Sequence, residues 1–597
     1  MMLETSYRSH TVGSIGLSLE GKSVTLCGWV ETIRDHGGVL FFHLRDASGR
    51  LQVLLDPNSM SEDQFEIAQR VHIEYCVRIK GLVVQRPEGK DRTWIDSKDV
   101  ELEVNDIEIL GSSEPVPFRP QDHKQVGEEQ RLNHRYLDLR SDEIQKSLRS
   151  RSALMHALRS TLKKRHFVEI ETPILSKSTP EGARDFLVPS RTHHGQFYAL
   201  PQSPQLFKQL LMIGGMDRYF QIARCFRDED QRTNRQPEFT QLDLEMSFVN
   251  EQDVMDEVEK LVLSALWDLN CDVKSPFVRI SYEEAMNRYG SDSPDLTFEL
   301  PIQDLTSIFE DTEFKVFRRI VDQGGIVRAI VLPSEYKATR SDIEWIRSEI
   351  AKLGVAEPAW GHLRSTGFES TIAKFWSASE VKAVAEKLAG SSDELVFFMA
   401  GPSDRQFKEI IGKLRLAMRN RFQISSQNSN LLAFAWVTDF PLFDWDTDSK
   451  KLTYMHHPFT SPRDPDILSE ENKENLLKAS SRAYDLVLNG QELGSGSIRI
   501  HDPQIQKQVF SKLGIAEDYV QENFGFLLKA LEYGAPPHGG IALGMDRFVS
   551  VLMGLSSIRD TIAFPKNKNS ACPLTSAPSN VEFEQLRECN ISIRDKS

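Results

Sequence analysis

The stretch GLSLEGKS at 16–23 satisfies, letter for letter, the phosphate-loop spacing GxxxxGK[ST]. Such a loop works only where a strand precedes it and a helix opens at the lysine, so that backbone amides and the helix dipole face the phosphates. Here a strand-like run, VTLCGWV, follows the lysine, so a turn ahead of a strand is expected instead. Three other stretches are weak singly but read together as one active site. RHFVEIETPIL at 165–175 sets a basic residue and an aromatic before a strand ended by Pro173. FRDEDQRTNRQPEF at 226–239 places an aromatic, Arg227 and Glu229 ahead of a polar loop that closes at Arg235 and Phe239. GIALGMDR at 540–547 has glycines that permit close backbone approach, and Arg547 points from a helix start. Taken alone, these are a proline-capped strand, a solvated hairpin and a helix N-terminus with a salt bridge.

The elements that must position these residues are spread over a long chain. With 597 residues, it exceeds the roughly 100–200 residues of one domain several times over. Its composition, 40% hydrophobic and 27% charged, is that of a globular protein and excludes a disordered or collagenous chain. No apolar run approaches a membrane span and the first residues do not resemble a signal peptide, so a cytoplasmic protein without a membrane partner is expected. The six cysteines, at 27, 76, 225, 271, 572 and 589, have neither zinc-ligand nor disulfide-framework spacing. The net charge of −15 has the wrong sign for a protein that coats nucleic acid, so any such contact must be local.

Residues 1–110 read as five strands, with a helix at about 61–71 between the third and fourth, its Phe65, Ala68 and Val71 turned inward. That order suits an OB-fold barrel. A Pro-, Gly- and Ser-containing charged segment, 111–140, is expected as a hinge or linker. Mixed helices and strands follow in 141–289, an inserted domain of alternating strand and helix patterns in 290–428, and a last part with a tail in 429–597. No fixed-period repeat is present.

Together the three stretches resemble the signature motifs of class II aminoacyl-tRNA synthetases, and no HIGH or KMSKS segment of class I is present. TPEGARDFLVPSR at 179–191, FYALPQSPQLFKQLL at 197–211, RQPEFTQLD at 235–243, MHHPFTSP at 455–462 and GQELGSGSIRIH at 490–501 are similar to bacterial-type aspartyl-tRNA synthetases over nearly the whole chain. The resemblance implies a multidomain α+β protein: a five-stranded OB-fold barrel for the anticodon, a class II catalytic domain on an antiparallel sheet with flanking helices, and an inserted α/β domain. It implies two reactions, attack of the L-aspartate α-carboxylate on ATP to give aspartyl-adenylate, then transfer to the tRNA 3′ end. Neither needs a protein nucleophile, so alignment and charge stabilisation by arginines and Mg²⁺ should dominate.

By the same resemblance, Arg227 and Arg547 are the catalytic residues, on the α- and γ-phosphates. Asp228, Glu229, Gln236, Glu492, Gly544, Met545 and Asp546 complete the ATP site, and Asp485 and Glu492 hold Mg²⁺ through hard oxygen ligands. Aspartate and asparagine differ in charge, not shape, so two cations are needed at the side-chain end. Lys208 and Arg499 match that role, with Glu181, Ser203, Gln205, Arg227, Asp243 and His456 around the substrate and His457 beside them. In the barrel, Phe41 would stack on a base, with Arg34 and Gln52 reading base edges. Residues 1–110 hold 12 basic and 18 acidic side chains, so specific contacts rather than bulk charge must carry that binding. Strand alternation at 39–46 puts Phe41 and Phe42 on opposite faces.

Some members of this family charge only tRNA-Asp, while others also charge tRNA-Asn and feed an amidotransferase. His36 and Gly89 resemble the relaxed type, although Lys90 beside Gly89 leaves a one-position slip open. A strict tRNA-Asp enzyme and a non-catalytic tRNA-binding paralogue remain the alternatives. The stretch 165–175 resembles the first of the family's signature motifs, which lies at the dimer interface, so the resemblance implies a homodimer seated through Pro173.

Overall fold

The computed structural model describes residues 5–86, 99–178, 183–230, 232–353, 359–364, 367–370, 372–388, 394–424, 432–447 and 449–594. It divides into two compact units, Met1–Lys146 with Pro573–Thr575, and Ser147–Cys572 with Ser576–Ser597. Among the described residues no helix is long and apolar enough to cross a membrane.

The first unit contains a closed barrel, in the order β1-β2-β3-β5-β4, of β1 (Ser23–His36), β2 (Val39–Asp46), β3 (Gly49–Leu55), β4 (Cys76–Gln85) and β5 (Val100–Gly111). A connecting helix, Glu62–Gln69, is capped by the Ser61 side chain and lies between β3 and β4. Ala68 and Val71 are buried under the barrel and Phe65 packs partly against it. Gly37 and Gly38, at φ of 68° and 92°, make the two-residue turn joining β1 to β2, where a side chain would be strained. The phosphate-loop look-alike is a short 3-10 turn, Leu17–Leu19, running into β1.

The segment expected as linker is packed. It holds the short helices Pro120–Gln125, Glu128–Asn133 and Arg135–Asp138. Asp138, fully buried, accepts from His123 Nδ1 at 2.5 Å and from Arg135, with Arg131 at 3.6 Å. Charged residues that satisfy one another in this way can be buried without an apolar pattern to announce it.

In the second unit, β6 (Val168–Glu169) leads to a small pair, β7 (Leu187–Pro189) and β8 (Phe197–Ala199). Next come β9 (Arg218–Phe226), β10 (Glu238–Ser247) and β11 (Val278–Ser281). The inserted region carries β12 (Ile302–Asp304), β13 (Ile326–Leu332), β14 (Ala359–Arg364), β15 (Gly367–Glu369) and β16 (Glu394–Gly401). Then β17 (Phe434–Thr438), the pair β18 (Phe443–Asp446) and β19 (Lys451–Tyr454), β20 (Ala483–Leu488), β21 (Gln491–Ile498) and β22 (His538–Gly544) close the chain order.

Eight of these form one sheet, β11-β17-β20-β21-β22-β10-β9-β6. Its interior is antiparallel, as expected, and only the two edge pairings, β6 on β9 and β11 on β17, are parallel. One face carries Leu242, Leu244, Leu486, Ile541 and Leu543 into the core, against the helices Asp142–Lys164 and Glu251–Asp268. The inserted region has its own five-stranded sheet, β12-β13-β16-β14-β15, all antiparallel. Both of its faces are buried: Ile330 and Phe397 belong to one apolar cluster, Val327 and Phe398 to another.

Candidate active site and barrel surface

The face of the eight-stranded sheet opposite its core is polar. Period-two alternation in LDLE at 242–245 puts Asp243 and Glu245 there while Leu242 and Leu244 go inward. Cross-strand register sets Gln221, Asp243, Ala542, Ser495 and Asp485 in one row, and Tyr219, Glu245, Gly540 and Ser497 in the next. The helix Gln205–Ile213 lays Gln205, Lys208 and Gln209 on this face at helical spacing, all buried, while Leu206 enters the Phe459 cluster on its other side.

A closed ion network results. Lys208 Nζ lies 2.7 Å from Asp243 Oδ1 and 3.2 Å from Glu245 Oε2. Arg499 grips Glu245 with two bonds, Nε to Oε1 at 2.9 Å and Nη2 to Oε2 at 3.1 Å. Its Nη1 meets Ser497 Oγ at 2.7 Å and His457 Nε2 at 2.6 Å. Two cations thus face two carboxylates in a space from which water is excluded. Burial would raise Glu245, yet Arg499 and Lys208 hold it down at about 2. Burial pushes Asp243 up to about 6 against the pull of Lys208. Burial, then the Arg499 charge, keeps His457 neutral, so its Nε2 accepts from the guanidinium. Asp243 Oδ2 and Gln205 Nε2 are buried without a hydrogen-bond partner.

Further along the face, His456 Nε2 is 3.2 Å from Asp485 Oδ1. Burial opposes its charging, but Asp485, then Glu492 and Asp292, raise it. Glu492 is itself raised, by burial and then by the Asp485 charge, so the two carboxylates repel within one site. Arg547, at the start of the helix Met545–Leu552, donates to the Glu492 carbonyl. Arg227 stacks over Phe239 at 5.2 Å from the ring centre, and its Nε is buried and unpaired. Glu229 pairs with Arg235 at 2.6 Å, and the Asp228 amide donates to the Arg184 carbonyl at 3.0 Å.

Some residues expected at the ATP site are engaged elsewhere. Both ends of the Gln236 amide hold the Lys566 backbone, at 2.8 and 3.0 Å. Asp546 is tied to Arg151 and to the Thr240 amide, and Met545 lies in the core, so these two offer the polar face only their backbone. Ser203 Oγ accepts from the Gln205 amide at 3.3 Å. Gly544 is the N-cap of the Met545–Leu552 helix, and a Cβ there would sit in ordinary van der Waals contact, 3.6 Å from the Leu493 carbonyl oxygen and 3.9 Å from Arg547 Cβ. Glu181 and Gly89 lie outside the described residues.

Sequence reasoning missed Glu245, Gln209, Ser497, His538 and Asp292. Alternation two residues beyond Asp243 could have found Glu245. His538 Nδ1 donates to the Pro536 carbonyl at 2.7 Å, which leaves its Nε2 to accept from Gln209 at 3.5 Å. Nothing in the sequence signals that link.

On the barrel, Arg34 and Phe41 are cross-strand partners and Gln52 stands opposite His43, so these residues share the outer face. Phe42 is 1% exposed in the core, whereas Phe41 is half-buried with its ring edge-on to exposed His36 at 5.7 Å.

A closed five-stranded barrel and an antiparallel sheet with an arginine-rich polar face define a class II synthetase with an OB-fold domain. Residues 127–568 match the family model "tRNA synthetases class II (D, K and N)", and residues 24–110 match the OB-fold nucleic acid binding domain. The chain belongs to that class II family. It is 47% identical over 583 residues to an aspartate–tRNA(Asp/Asn) ligase of Thermodesulfovibrio yellowstonii, covering 96% of this chain and 97% of the relative. It is 45% identical over 597 residues to the one of Aquifex aeolicus, covering 98% of each. Among solved structures, the fold is similar to asparaginyl-tRNA synthetase of Pyrococcus horikoshii (TM-score 0.58, 19% identity, 94% of this chain and 98% of the other). It is also similar to aspartyl-tRNA synthetase of Entamoeba histolytica (TM-score 0.56, 19% identity, 92% and 90%).

Proposed function

We propose that this chain is an aspartate–tRNA(Asp/Asn) ligase. It activates L-aspartate with ATP and transfers the aspartyl group to the 3′ end of tRNA-Asp and tRNA-Asn. The observation that carries the amino-acid assignment is the Lys208–Asp243–Glu245–Arg499 network together with two unpaired polar atoms, Asp243 Oδ2 within it and Gln205 Nε2 on the same face. A buried polar atom left unpaired costs about 1–3 kcal/mol, and a substrate that pairs it recovers that cost. Asp243 Oδ2 is an acceptor for the α-ammonium. The third Lys208 proton and Arg499 Nη1, exchanging His457 or Ser497, receive the β-carboxylate. Asparagine offers the same shape without the charge, so it would leave these donors facing an amide.

Arg227, held over Phe239, is placed for the α-phosphate, and Arg547 for the γ-phosphate. Arg227 loses no hydrogen bond on engaging phosphate, because its Nε is already unpaired. The buried, mutually repelling carboxylates of Asp485 and Glu492 suit a hard divalent cation with oxygen ligands. They would hold Mg²⁺, which neutralises and orients the ATP phosphates when bound. Aspartate is aligned by its ammonium and side chain so that its α-carboxylate reaches the α-phosphorus; the bond to pyrophosphate then breaks.

Relaxed tRNA choice is supported by the two relatives' names and by His36, exposed at the β1–β2 turn beside Phe41. A neutral imidazole presents both a donor and an acceptor to whichever base comes there. The exposed Val168, Ile174 and Leu175 support a homodimer through the segment before and after Pro173. A downstream amidotransferase would consume aspartyl-tRNA-Asn.

The test is ATP-dependent charging of tRNA-Asp and tRNA-Asn transcripts with labelled aspartate, using this protein and His36→Leu. Charging of both, with selective loss of tRNA-Asn in the variant, is the expected result. Charging of tRNA-Asp alone would remove the relaxed specificity and keep the enzyme, and charging of neither by folded protein would overturn the assignment.

A further inference from the structure

On the barrel's outer face the Gln52 side chain is held at both ends. Its Nε2 donates to Glu101 Oε2 at 2.7 Å, and its Oε1 accepts from Arg86 Nη2 at 3.0 Å. Gln52 and Glu101 are 8% and 6% exposed, so neither bond competes freely with water. Both partners are chemically one-sided: an ionised carboxylate only accepts and a guanidinium only donates. A rotated amide would set its NH₂ against the guanidinium and its carbonyl against the carboxylate, losing two charge-assisted bonds and gaining two repulsive contacts. One orientation of Gln52 is therefore fixed.

What remains of the amide is informative. It has two N–H groups and two carbonyl lone pairs, and each partner occupies one of them. One donor is left on the Glu101 side and one acceptor on the Arg86 side. Keto bases present an exocyclic acceptor beside a ring N–H, whereas amino bases present the reverse order. An amide free to flip would accept either edge; a locked one accepts a single order. Gln52 stands opposite His43, two positions along β2 from Phe41, within the surface where an unstacked base would lie.

Resting on the anticodon reading above, we propose that Glu101 and Arg86 are positioning residues that lock the Gln52 amide and so make it discriminate keto from amino base edges. Neither touches the base in order to do this.

The experiment compares charging of tRNA-Asp transcripts in which each anticodon base is exchanged between keto and amino forms, using the full-length protein, Glu101→Gln and Gln52→Ala. A glutamine at 101 both donates and accepts, so the lock is weakened without loss of shape. The expected result is an about tenfold fall in the keto-to-amino ratio of kcat/KM at one anticodon position, carried in KM for tRNA. ATP–pyrophosphate exchange without tRNA should be unchanged in Glu101→Gln. In the Gln52→Ala background, Glu101→Gln should add nothing, because its effect passes through Gln52. The paired exchange Gln52→Glu with Glu101→Gln keeps the charge and the number of bonds, so it should fold, yet position 52 becomes acceptor-only and the ratio should fall in the same way. An unchanged ratio in Glu101→Gln, or an effect fully additive with Gln52→Ala, overturns the proposal. Wild-type charging indifferent to every anticodon base would also overturn it, and would locate the fault in the anticodon reading.

Discussion

Arg499 and Glu245 form a two-bond ion pair, 2.9 and 3.1 Å, with side chains 2% and 0% exposed. The same carboxylate also serves Lys208 at 3.2 Å, so one acidic group holds both cations in place. Removing one member of a buried pair leaves the other charge uncompensated, at a cost of about 3–5 kcal/mol. Glu245→Gln should therefore lower unfolding stability by that order in a urea titration and raise the KM for aspartate in pyrophosphate exchange. A variant with wild-type stability would show that Lys208 and Arg499 find other counter-charges.

Asp243 and Glu245 are two residues apart and should respond to pH in opposite directions. Glu245, held at about 2, contributes stability that is present above its unfolded value and lost as pH falls towards 2. Asp243, raised to about 6, binds its proton more tightly folded than unfolded. Its contribution is full below its unfolded value near 3.8 and is lost as pH rises through about 6. Between pH 4 and 7 the wild type should lose stability relative to Asp243→Asn, on the order of 3 kcal/mol. Urea unfolding of both proteins across that range checks it; parallel curves would mean that Asp243 ionises without penalty.

The barrel was legible in the sequence because its strands have one wet and one dry face, and period-two alternation separated Phe41 from Phe42. The packed 111–140 segment was not, since His123, Arg131, Arg135 and Asp138 are charged residues that bury by pairing, and their composition matches that of a solvated hinge. In the site, Lys208, Asp243 and Arg499 are named individually by the sequence, and alternation from Asp243 puts Glu245 on the same face, but the pairing of Glu245 with Arg499, a distant chain segment, shows only through the sheet. The parallel edges β6 and β11 follow from long connections that no local pattern encodes. Asp292 lies in the region read as an insertion, yet its charge acts on His456 and Glu492.

Gly540 belongs to the site through what it lacks. A Cβ there would stand 2.0 Å from the Leu244 carbonyl and 2.2 Å from Glu245 Oε2. The first neighbour is sheet backbone and cannot yield; the second is the carboxylate that holds Arg499. Gly540→Ala should therefore both destabilise the β10–β22 pairing, by about 1–3 kcal/mol as overpacking does, and displace Glu245. Pyrophosphate exchange with aspartate should fall by more than the loss of folded protein accounts for. If specific activity per folded molecule is unchanged, Glu245 relaxes without moving Arg499.

Phe41 and Phe42 are chain neighbours whose truncations should give complementary results. Phe42, 1% exposed among barrel core residues, should cost about 3–5 kcal/mol as Phe42→Ala, with anticodon binding lost only as folding is lost. Phe41 faces outward against His36, so Phe41→Ala removes little core and should leave the thermal midpoint near that of the wild type. A base stacked on an aromatic contributes about 1–3 kcal/mol, so the same variant should weaken binding of an anticodon stem-loop by roughly 5- to 150-fold. Aspartate activation in the absence of tRNA should be untouched by it. Fluorescence titration with the stem-loop, alongside a melting curve for each variant, separates the two roles. Equal stem-loop affinity in Phe41→Ala and wild type would move base stacking away from this ring.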